Sequence, residues 1–369
     1  MKINIFFFIS NFNFGGAGNA VLNFLKKLNK NKFSVNIIFL GKSDYLNHIP
    51  KNIKIYKINS NFFFFKTLFC FFKIKKILKK EVLINKKNVF ISNIHYSNIL
   101  SIIFLRKISY LKIFLFERTS LKELDIYFSF LSFIKNKLIK LLIKLLYKKA
   151  DEVFSNSITV QNELKNFSIN AKIIYSGSLK KILPKKKFKK KYFFKIISVG
   201  RLTRQKNYKM LIDSIKITKK ENFKLFIYGS GKLYNNLRQY IVKNDLSSKI
   251  KLMSHIKNKN KIYKNADLLI HTALFEGLPN SIVDAMNYNV PVIAYNGAGG
   301  ISEILGHGRF GKIIMKNSKY EISRNIDQFL LKPKNLQNKI LKSKKILKRF
   351  KDIKTANVLE KEILKIYKI

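Results

Sequence analysis

Short apolar runs alternate along this chain with longer segments of helical period, and that alternation restricts the fold more than any other feature. "INIFFFI" precedes residues 20–28, where apolar side chains recur at spacings of three and four, and "SVNIIFL", "VFIS" and "KIFLF" follow. Strands this uniformly apolar need cover on both faces. Strand-then-helix repetition therefore predicts a parallel sheet clothed by helices on each side. The pattern breaks and restarts with "KIISVG", "FKLFIYG", "KIKLM", "ADLLIH" and "VPVIAY". At 369 residues the chain exceeds one typical core. The expectation is an α/β protein made of two doubly wound halves.

Between the halves, "SLKKILPKKKFKKKYF" carries Pro184 and a lysine run that no sheet interior accepts. The expected division is a first domain over 1–178, a linker over 179–194 and a second domain over 195–350. Residues 351–369 are expected to form a C-terminal helix that crosses back to the first domain.

Net charge is +54, yet only eight of the 74 basic residues are arginine. Nucleic-acid recognition leans on the rigid arginine fork, whereas lysine here is scattered through almost every segment, so no specific nucleic-acid partner is expected. An A+T-rich coding sequence accounts for much of the Lys, Asn, Ile and Phe. The charge would still attract anionic lipid headgroups. Wholesale disorder is excluded by the 47% apolar content. Cys70 is the only cysteine, which excludes an intramolecular disulfide and fits a reducing compartment.

"MKINIFFFIS" reads as a buried first strand rather than a signal peptide, because no small-residue cleavage pattern follows it. "FFFFKTLFCFF" (Phe62 to Phe72) is interrupted by Lys66 and falls short of the roughly 18–20 residues that a spanning helix needs. No transmembrane segment is expected. Residues 129–149, "SFLSFIKNKLIKLLIKLLYKK", support two compatible readings: a surface helix of the first domain, or a basic amphipathic helix lying in a membrane interface.

Three stretches carry candidate chemistry. After the first strand, Gly15, Gly16 and Gly18 open a helix near Asn19, where free N–H groups suit an anion or where the chain merely turns tightly. "SVGRLTRQKN" ends a strand at Gly200 and places Arg201 and Lys206 in the following loop, at the sheet end where open α/β folds bind ligands. These two cations can converge on a pyrophosphate or remain solvated. In "FEGLPNSIVDAM", Gly277 suits a tight turn and Pro279 a first helical position. The N–H groups after it would face an anion, while Glu276 and Asp284 either accept hydrogen bonds from sugar hydroxyls or simply favour the helix start.

The last stretch closely resembles the E-x7-E region of retaining GT-B glycosyltransferases of family 4. So do "GGAGNAVLNFL", "ADEVFSNSITVQNEL", "IIYSGS", "VGRLTRQKNYKMLIDSI", "LFIYGSGKLYNNL" and "GAGGISEIL", in order, over nearly the whole chain. The resemblance implies two Rossmann-like domains facing a central cleft, with a nucleotide-sugar on the C-terminal one and an acceptor on the N-terminal one. Arg201 and Lys206 would then neutralise the donor diphosphate, Glu276 would hold hydroxyls of the transferred sugar, and Asp284 would hold the ribose. Gly277, Leu278, Pro279, Asn280 and Ser281 complete the implied donor side, and the turn at Gly15 and Gly16 would close on the phosphates.

Departures from the family pattern also show. Asp284 replaces the usual Glu and is shorter by one methylene, about 1.5 Å. Ser176 stands where an asparagine is common. Arg118 stands where many relatives have a histidine, so Arg118, His95 and Asn19 are the acceptor-side candidates, His95 having an equally good structural reading.

Bond cleavage between sugar and diphosphate would develop an oxocarbenium-like sugar and a more negative leaving group beside fixed cations. The sequence contains no D-x-D, so neither a metal nor another cofactor is expected. With retention, the acceptor hydroxyl attacks from the leaving-group face and a phosphate oxygen serves as base. The expected activity is transfer of a hexose or N-acetylhexosamine from a nucleotide-sugar, in the first instance a UDP-sugar. The acceptor would be lipid-linked or part of a surface polysaccharide such as capsule or lipopolysaccharide. Its expected place is cytoplasmic and peripheral on the inner face of the membrane. The alternatives are a basic, non-enzymatic module binding membrane or nucleic acid, and a sugar-nucleotide epimerase on the same fold.

Overall fold

The first strand, β1 (Ile3–Ile9), sends alternate side chains to opposite faces of a sheet, and both faces are buried. Phe6 and Phe8 join one apolar cluster; Ile5, Phe7 and Ile9 join another. Each such buried phenylalanine stabilises the fold by about 1.5–3 kcal/mol. Two-sided burial is the reason the strand shows no polar alternation.

A computed structural model describes residues 2–13, 15–59, 66–127, 129–256, 258–297 and 299–368. The chain divides into two units, Met1–Lys180 with Phe350–Ile369, and Lys181–Arg349. After β1 the first unit continues through α1 (Gly16–Lys27), β2 (Phe33–Leu40), β3 (Lys54–Ile58), α2 (Lys66–Ile84) and β4 (Asn88–Asn93). It then runs through α3 (His95–Leu105), β5 (Leu111–Glu117), α4 (Phe130–Leu146), β6 (Glu152–Ser155), α5 (Ile158–Lys165) and β7 (Lys172–Ile173). The seven strands are parallel in the order β3-β2-β1-β4-β5-β6-β7.

The second unit contains β8 (Phe194–Val199), α6 (Tyr208–Lys216), β9 (Phe223–Tyr228), α7 (Tyr234–Lys243), β10 (Ile250–Met253), α8 (Lys259–Tyr263) and β11 (Leu268–His271). It closes with α9 (Asn280–Asn287), β12 (Val292–Tyr295), α10 (Ile301–Ile304), β13 (Lys312–Ile314), α11 (Lys319–Leu331) and α12 (Lys334–Leu341). Its six parallel strands are ordered β10-β9-β8-β11-β12-β13. A final helix, α13 (Asp352–Ile366), returns to the first unit, where Ala356, Leu359 and Ile363 pack in the cluster that holds Phe7 and Phe24. These are two Rossmann-like halves, and strand order reverses between β1 and β4 in one sheet and between β8 and β11 in the other. Crevices at such reversals, beyond the carboxyl ends of the strands, are where open α/β sheets take ligands.

The lysine-rich stretch after Lys180 is tethered to the second unit. Asn287 Oδ1 accepts from the Leu183 N–H at 2.9 Å, Asn289 donates to the Pro184 carbonyl at 2.8 Å, and Lys191 pairs with Asp267 at 2.5 Å. Of the run "FFFFKTLFCFF", residues 62–65 lie outside the described residues, and the remainder falls in α2, with Cys70 and Phe71 buried. Among the described residues no helix is long and apolar enough to cross a membrane.

Helix α4 begins at a reciprocal cap between Ser129 and Ser132. Ile139 and Ile143 point inward, while Leu131, Ile134, Leu138, Leu141 and Leu145 form an exposed stripe on the other side, Leu131 being 78% accessible. The spacing of three and four that defines the helix thus serves two apolar faces, only one of which is covered within the first unit.

Candidate active site

The loops after β8 and β11, neighbouring strands at the reversal of the second sheet, are sewn together by hydrogen bonds to backbone carbonyls. The Thr272 hydroxyl donates to the Lys206 carbonyl at 2.9 Å, and the Leu274 N–H donates to the Gln205 carbonyl at 2.9 Å. Gln205 Nε2 reaches the Phe275 carbonyl at 2.8 Å. Asn207 adopts a left-handed conformation (φ 53°) that ends the short 3₁₀ turn Arg204–Lys206, starts α6 and turns the chain over β8. These contacts bring Lys206 and Glu276 into an ion pair through Nζ and Oε1, each side chain 13% exposed. Arg201, exposed in the same loop, lies near enough to act electrostatically on Glu276.

The loop carrying Glu276 is buttressed from β12's side of the sheet. Gly299 adopts φ +120°, and a Cβ there would stand 1.8 Å from the Glu276 carbonyl oxygen, so only glycine fits. Gly300 N–H donates to the Gly277 carbonyl at 2.8 Å. Leu278 is buried, and Asn280 and Ser281 begin α9 without a side-chain cap. Pro279, read from sequence as the first helical residue, is the residue before the helix, with ψ 97°. Its ring still fixes the approach of the chain, and it still leaves no N–H to satisfy.

Burial alone would raise the Glu276 carboxyl, but Lys206, with His271 and Arg201, holds it below the ordinary carboxylate range. His271, the last residue of β11, is buried, with Nε2 3.7 Å from Glu276 Oε1 and without a hydrogen-bond partner among the described residues. Burial and the adjacent Lys206 ammonium lower its pKa to about 3, so the ring is neutral at ordinary pH. Sequence reading did not single it out. Its one available signal was a polar residue closing the run "ADLLIH" at the carboxyl end of a strand.

Asp284 stands on the buried side of α9 and pairs with Lys259 Nζ at 2.6 Å. Burial raises its pKa and Lys259 opposes the rise. Asp284 therefore has a protein partner of its own, in an ion pair separate from that of Lys206 and Glu276. Among the described residues no cluster of three or more His, Cys, Asp or Glu side chains could hold a metal ion.

The candidates of the first unit lie at the carboxyl ends of its strands. Gly16 begins α1, and Asn19, one turn along, accepts from the Tyr45 hydroxyl at 2.8 Å. His95, at the start of α3, is buried between Glu117 at 3.7 Å and Glu123 at 3.2 Å; burial would lower its pKa, and the two carboxylates outweigh that and raise it. Glu117 also accepts from the Tyr147 hydroxyl at 2.8 Å. Arg118, following β5, donates from Nε to Asn93 at 2.6 Å and lies over the Phe116 ring at 4.5 Å. Its terminal nitrogens are buried without partners among the described residues, and burial, partly opposed by Glu117, lowers its pKa to about 9. His95 and Arg118 thus share one polar cluster through consecutive residues of β5's end, whereas Asn19 belongs to the α1 turn.

Two loops at the reversal of a parallel sheet thus present cations and one held carboxylate side by side, a chemistry that suits a phosphorylated, hydroxyl-rich ligand. Residues 180–346, nearly all of the second unit, match the family model described as Glycosyl transferases group 1. An uncharacterized glycosyltransferase of Methanocaldococcus jannaschii is 31% identical over 185 residues, 46% of each chain. A Campylobacter jejuni protein is 27% identical over 238 residues, 61% of this chain and 63% of its own. It is named N-acetylgalactosamine-N,N'-diacetylbacillosaminyl-diphospho-undecaprenol 4-alpha-N-acetylgalactosaminyltransferase. The chain thus spans less than two thirds of the length of these relatives. The Anabaena protein HepE, solved with UDP and glucose, superposes with a TM-score of 0.79 at 16% identity, covering 99% of this chain and 100% of that one. That likeness gives the whole chain the fold of GT-B proteins.

Proposed function

We propose that the chain is a glycosyltransferase that moves a hexose or N-acetylhexosamine from a UDP-sugar to a lipid-linked acceptor of a surface glycan, such as a capsule or lipopolysaccharide. The observation that carries this reading is the Lys206–Glu276 pair, with Arg201 beside it, within the residues that match the group 1 glycosyl transferases. Fixed cations suit a leaving diphosphate, and a carboxylate held ionised beside them suits the hydroxyls of a sugar. HepE was solved with UDP and glucose, which favours a uridine nucleotide. The diphospho-undecaprenol in the name of the Campylobacter relative favours a lipid-linked acceptor.

In this reading transfer proceeds with retention. Arg201 and Lys206 stabilise the departing diphosphate, whose oxygen accepts the proton of the attacking hydroxyl, and Glu276 orients the sugar without bonding to it covalently. No metal bridge and no other cofactor is invoked. Asp284 reaches the ribose only by sharing itself with Lys259. The exposed stripe of α4, flanked by Lys135, Lys137 and Lys144, supports peripheral contact with an anionic membrane, the apolar side chains entering the interface and the lysines meeting headgroups.

The experiment is calorimetric titration with UDP, UDP-glucose, UDP-galactose, their N-acetyl forms and GDP-mannose, with and without magnesium, on the wild type and on Arg201→Ala. Tight binding of one UDP-sugar that needs Arg201 and survives chelation supports the reading. Binding of none of them, with salt-sensitive adhesion to DNA or anionic vesicles unchanged by the substitution, replaces it with a basic binding module.

A further inference from the structure

Within the donor-site reading, on which this inference rests, Lys206 and Glu276 have separate tasks, yet they are paired with one another. A diphosphate that draws Lys206 away leaves the Glu276 carboxylate without its main partner at the moment it must orient the sugar. Among the described residues the charged and titratable groups acting on that carboxylate are Lys206, His271 and Arg201, with the buried Tyr208 phenol also near it. Arg201 is exposed and on the same errand as Lys206. Tyr208 is committed to the Gly200 carbonyl at 3.1 Å.

That leaves one group. The His271 imidazole is fixed at the end of β11 and is almost fully buried, its Nε2 3.7 Å from Glu276 Oε1 and without a hydrogen-bond partner among the described residues. A buried polar nitrogen left unpaired is unfavourable, and a native structure that keeps one calls for a reason. We propose that His271 is a positioning residue that takes over Glu276 when the donor diphosphate captures Lys206, closing the 3.7 Å gap to a hydrogen bond from Nε2–H to the carboxylate. Partner exchange then keeps Glu276 aimed at the sugar hydroxyls.

Neutrality is essential to this role. A charged imidazole would compete with the diphosphate for a site already holding two cations, and would bind Glu276 too tightly to leave it free for the sugar. Burial, the larger of the two causes that keep the ring neutral, persists when Lys206 turns to the diphosphate, and the neutral ring is a hydrogen-bond donor of modest strength. No proton is transferred in the exchange, and His271 touches neither donor nor acceptor.

The test compares wild type, His271→Leu and His271→Gln in binding of UDP and of the UDP-sugar the wild type prefers, and in steady-state transfer. UDP lacks the sugar, so it reports the cation site alone. Expected is UDP affinity within about twofold in all three proteins. His271→Leu should lose about tenfold in the advantage of UDP-sugar over UDP and in kcat, with His271→Gln recovering most of both because its amide donates from a similar place. An unchanged UDP-sugar advantage and kcat in His271→Leu overturns the role. So does equal loss in both variants with reduced UDP affinity, which marks a purely structural histidine. Failure of the wild type to bind UDP or any UDP-sugar is a different result: it removes the donor-site reading, and the role with it.

Discussion

Lys206 and Glu276 stand 70 residues apart in the chain and are joined as an ion pair, each contributed by the loop after a neighbouring strand at the reversal of the second sheet. Neither element makes a site alone. The loop after β8 supplies cations, and the loop after β11 supplies the carboxylate that holds one of them in place.

Truncating either partner should separate the two functions. Lys206→Ala is expected to weaken UDP binding by about tenfold to a hundredfold, the range for losing a charge-assisted contact. Glu276→Ala should leave UDP binding within a few-fold and lower kcat by about a hundredfold or more. A double-mutant cycle on UDP-sugar binding should show clear non-additivity, because each single change leaves the other charge poorly compensated. Additive effects would mean that the pair does not act as a unit.

Acid should destabilise the second unit through His271. Its pKa is about 3 in the folded chain against an ordinary 6.5, so between those values the unfolded state binds the proton that the folded state refuses. Stability is full above pH 6.5 and falls as pH drops toward 3, by at most about 1.4 kcal/mol per pH unit from this one group. Denaturant midpoints of wild type and His271→Leu between pH 7 and 4 check this. The variant's curve should be flatter, and parallel curves would refute the assignment.

Gly299→Ala should displace the Glu276 loop. A methyl group 1.8 Å from the Glu276 carbonyl oxygen cannot be accommodated by a side-chain rotation, and the φ of +120° is itself unfavourable for alanine. A loss of about 1–3 kcal/mol in stability and a much larger fall in transfer are expected. Thermal unfolding and initial rates measure the two, and retention of full activity would show the loop to be more compliant than its packing indicates.

The exposed stripe of α4 is expected to govern vesicle binding. Leu138→Glu with Leu141→Glu should abolish co-flotation with vesicles containing about 30% anionic lipid while leaving UDP binding unchanged. Raising salt should weaken the wild type's binding only in part, because the apolar contribution is not screened. If the double variant floats as the wild type does, the lysines elsewhere on the chain carry the attraction.

Much of the architecture was legible because buried parallel strands are written as uninterrupted apolar runs. "INIFFFI" coincides with β1, "VFIS" lies inside β4, and "ADLLIH" ends with β11 at His271. Of the strands that escaped, β6, "EVFS", lies inside the first sheet but is only four residues long and opens on a charged side chain; the others lie where sheet position relaxes that rule. β3, "KIYKI", is an edge strand with lysines turned outward, and β7 and β13, two and three residues long, are edge strands of the first and the second sheet respectively. At the site, Arg201, Lys206 and Glu276 were visible as charges at the ends of strands, and the ordered family motifs gave them roles. His271 and Lys259 were not visible. One looks like the last residue of a buried run, and the other is a single lysine in a chain crowded with them, so only the fold shows which oxygen each one faces.

Helix α13 belongs to the first unit, and the chain leaves and re-enters that unit at adjacent points, the Leu179 N–H donating to the Phe350 carbonyl and the Asp352 N–H to the Leu179 carbonyl. On the ribosome this sets an order of events. The entire second unit must emerge before Ala356, Leu359 and Ile363 arrive to cover the sheet face that carries Phe7, beside Phe24 of α1. At usual elongation rates that face waits roughly ten to thirty seconds. For that interval the first half of the protein is a client for whatever shields nascent apolar surface, and the unit synthesised second is the first able to finish folding.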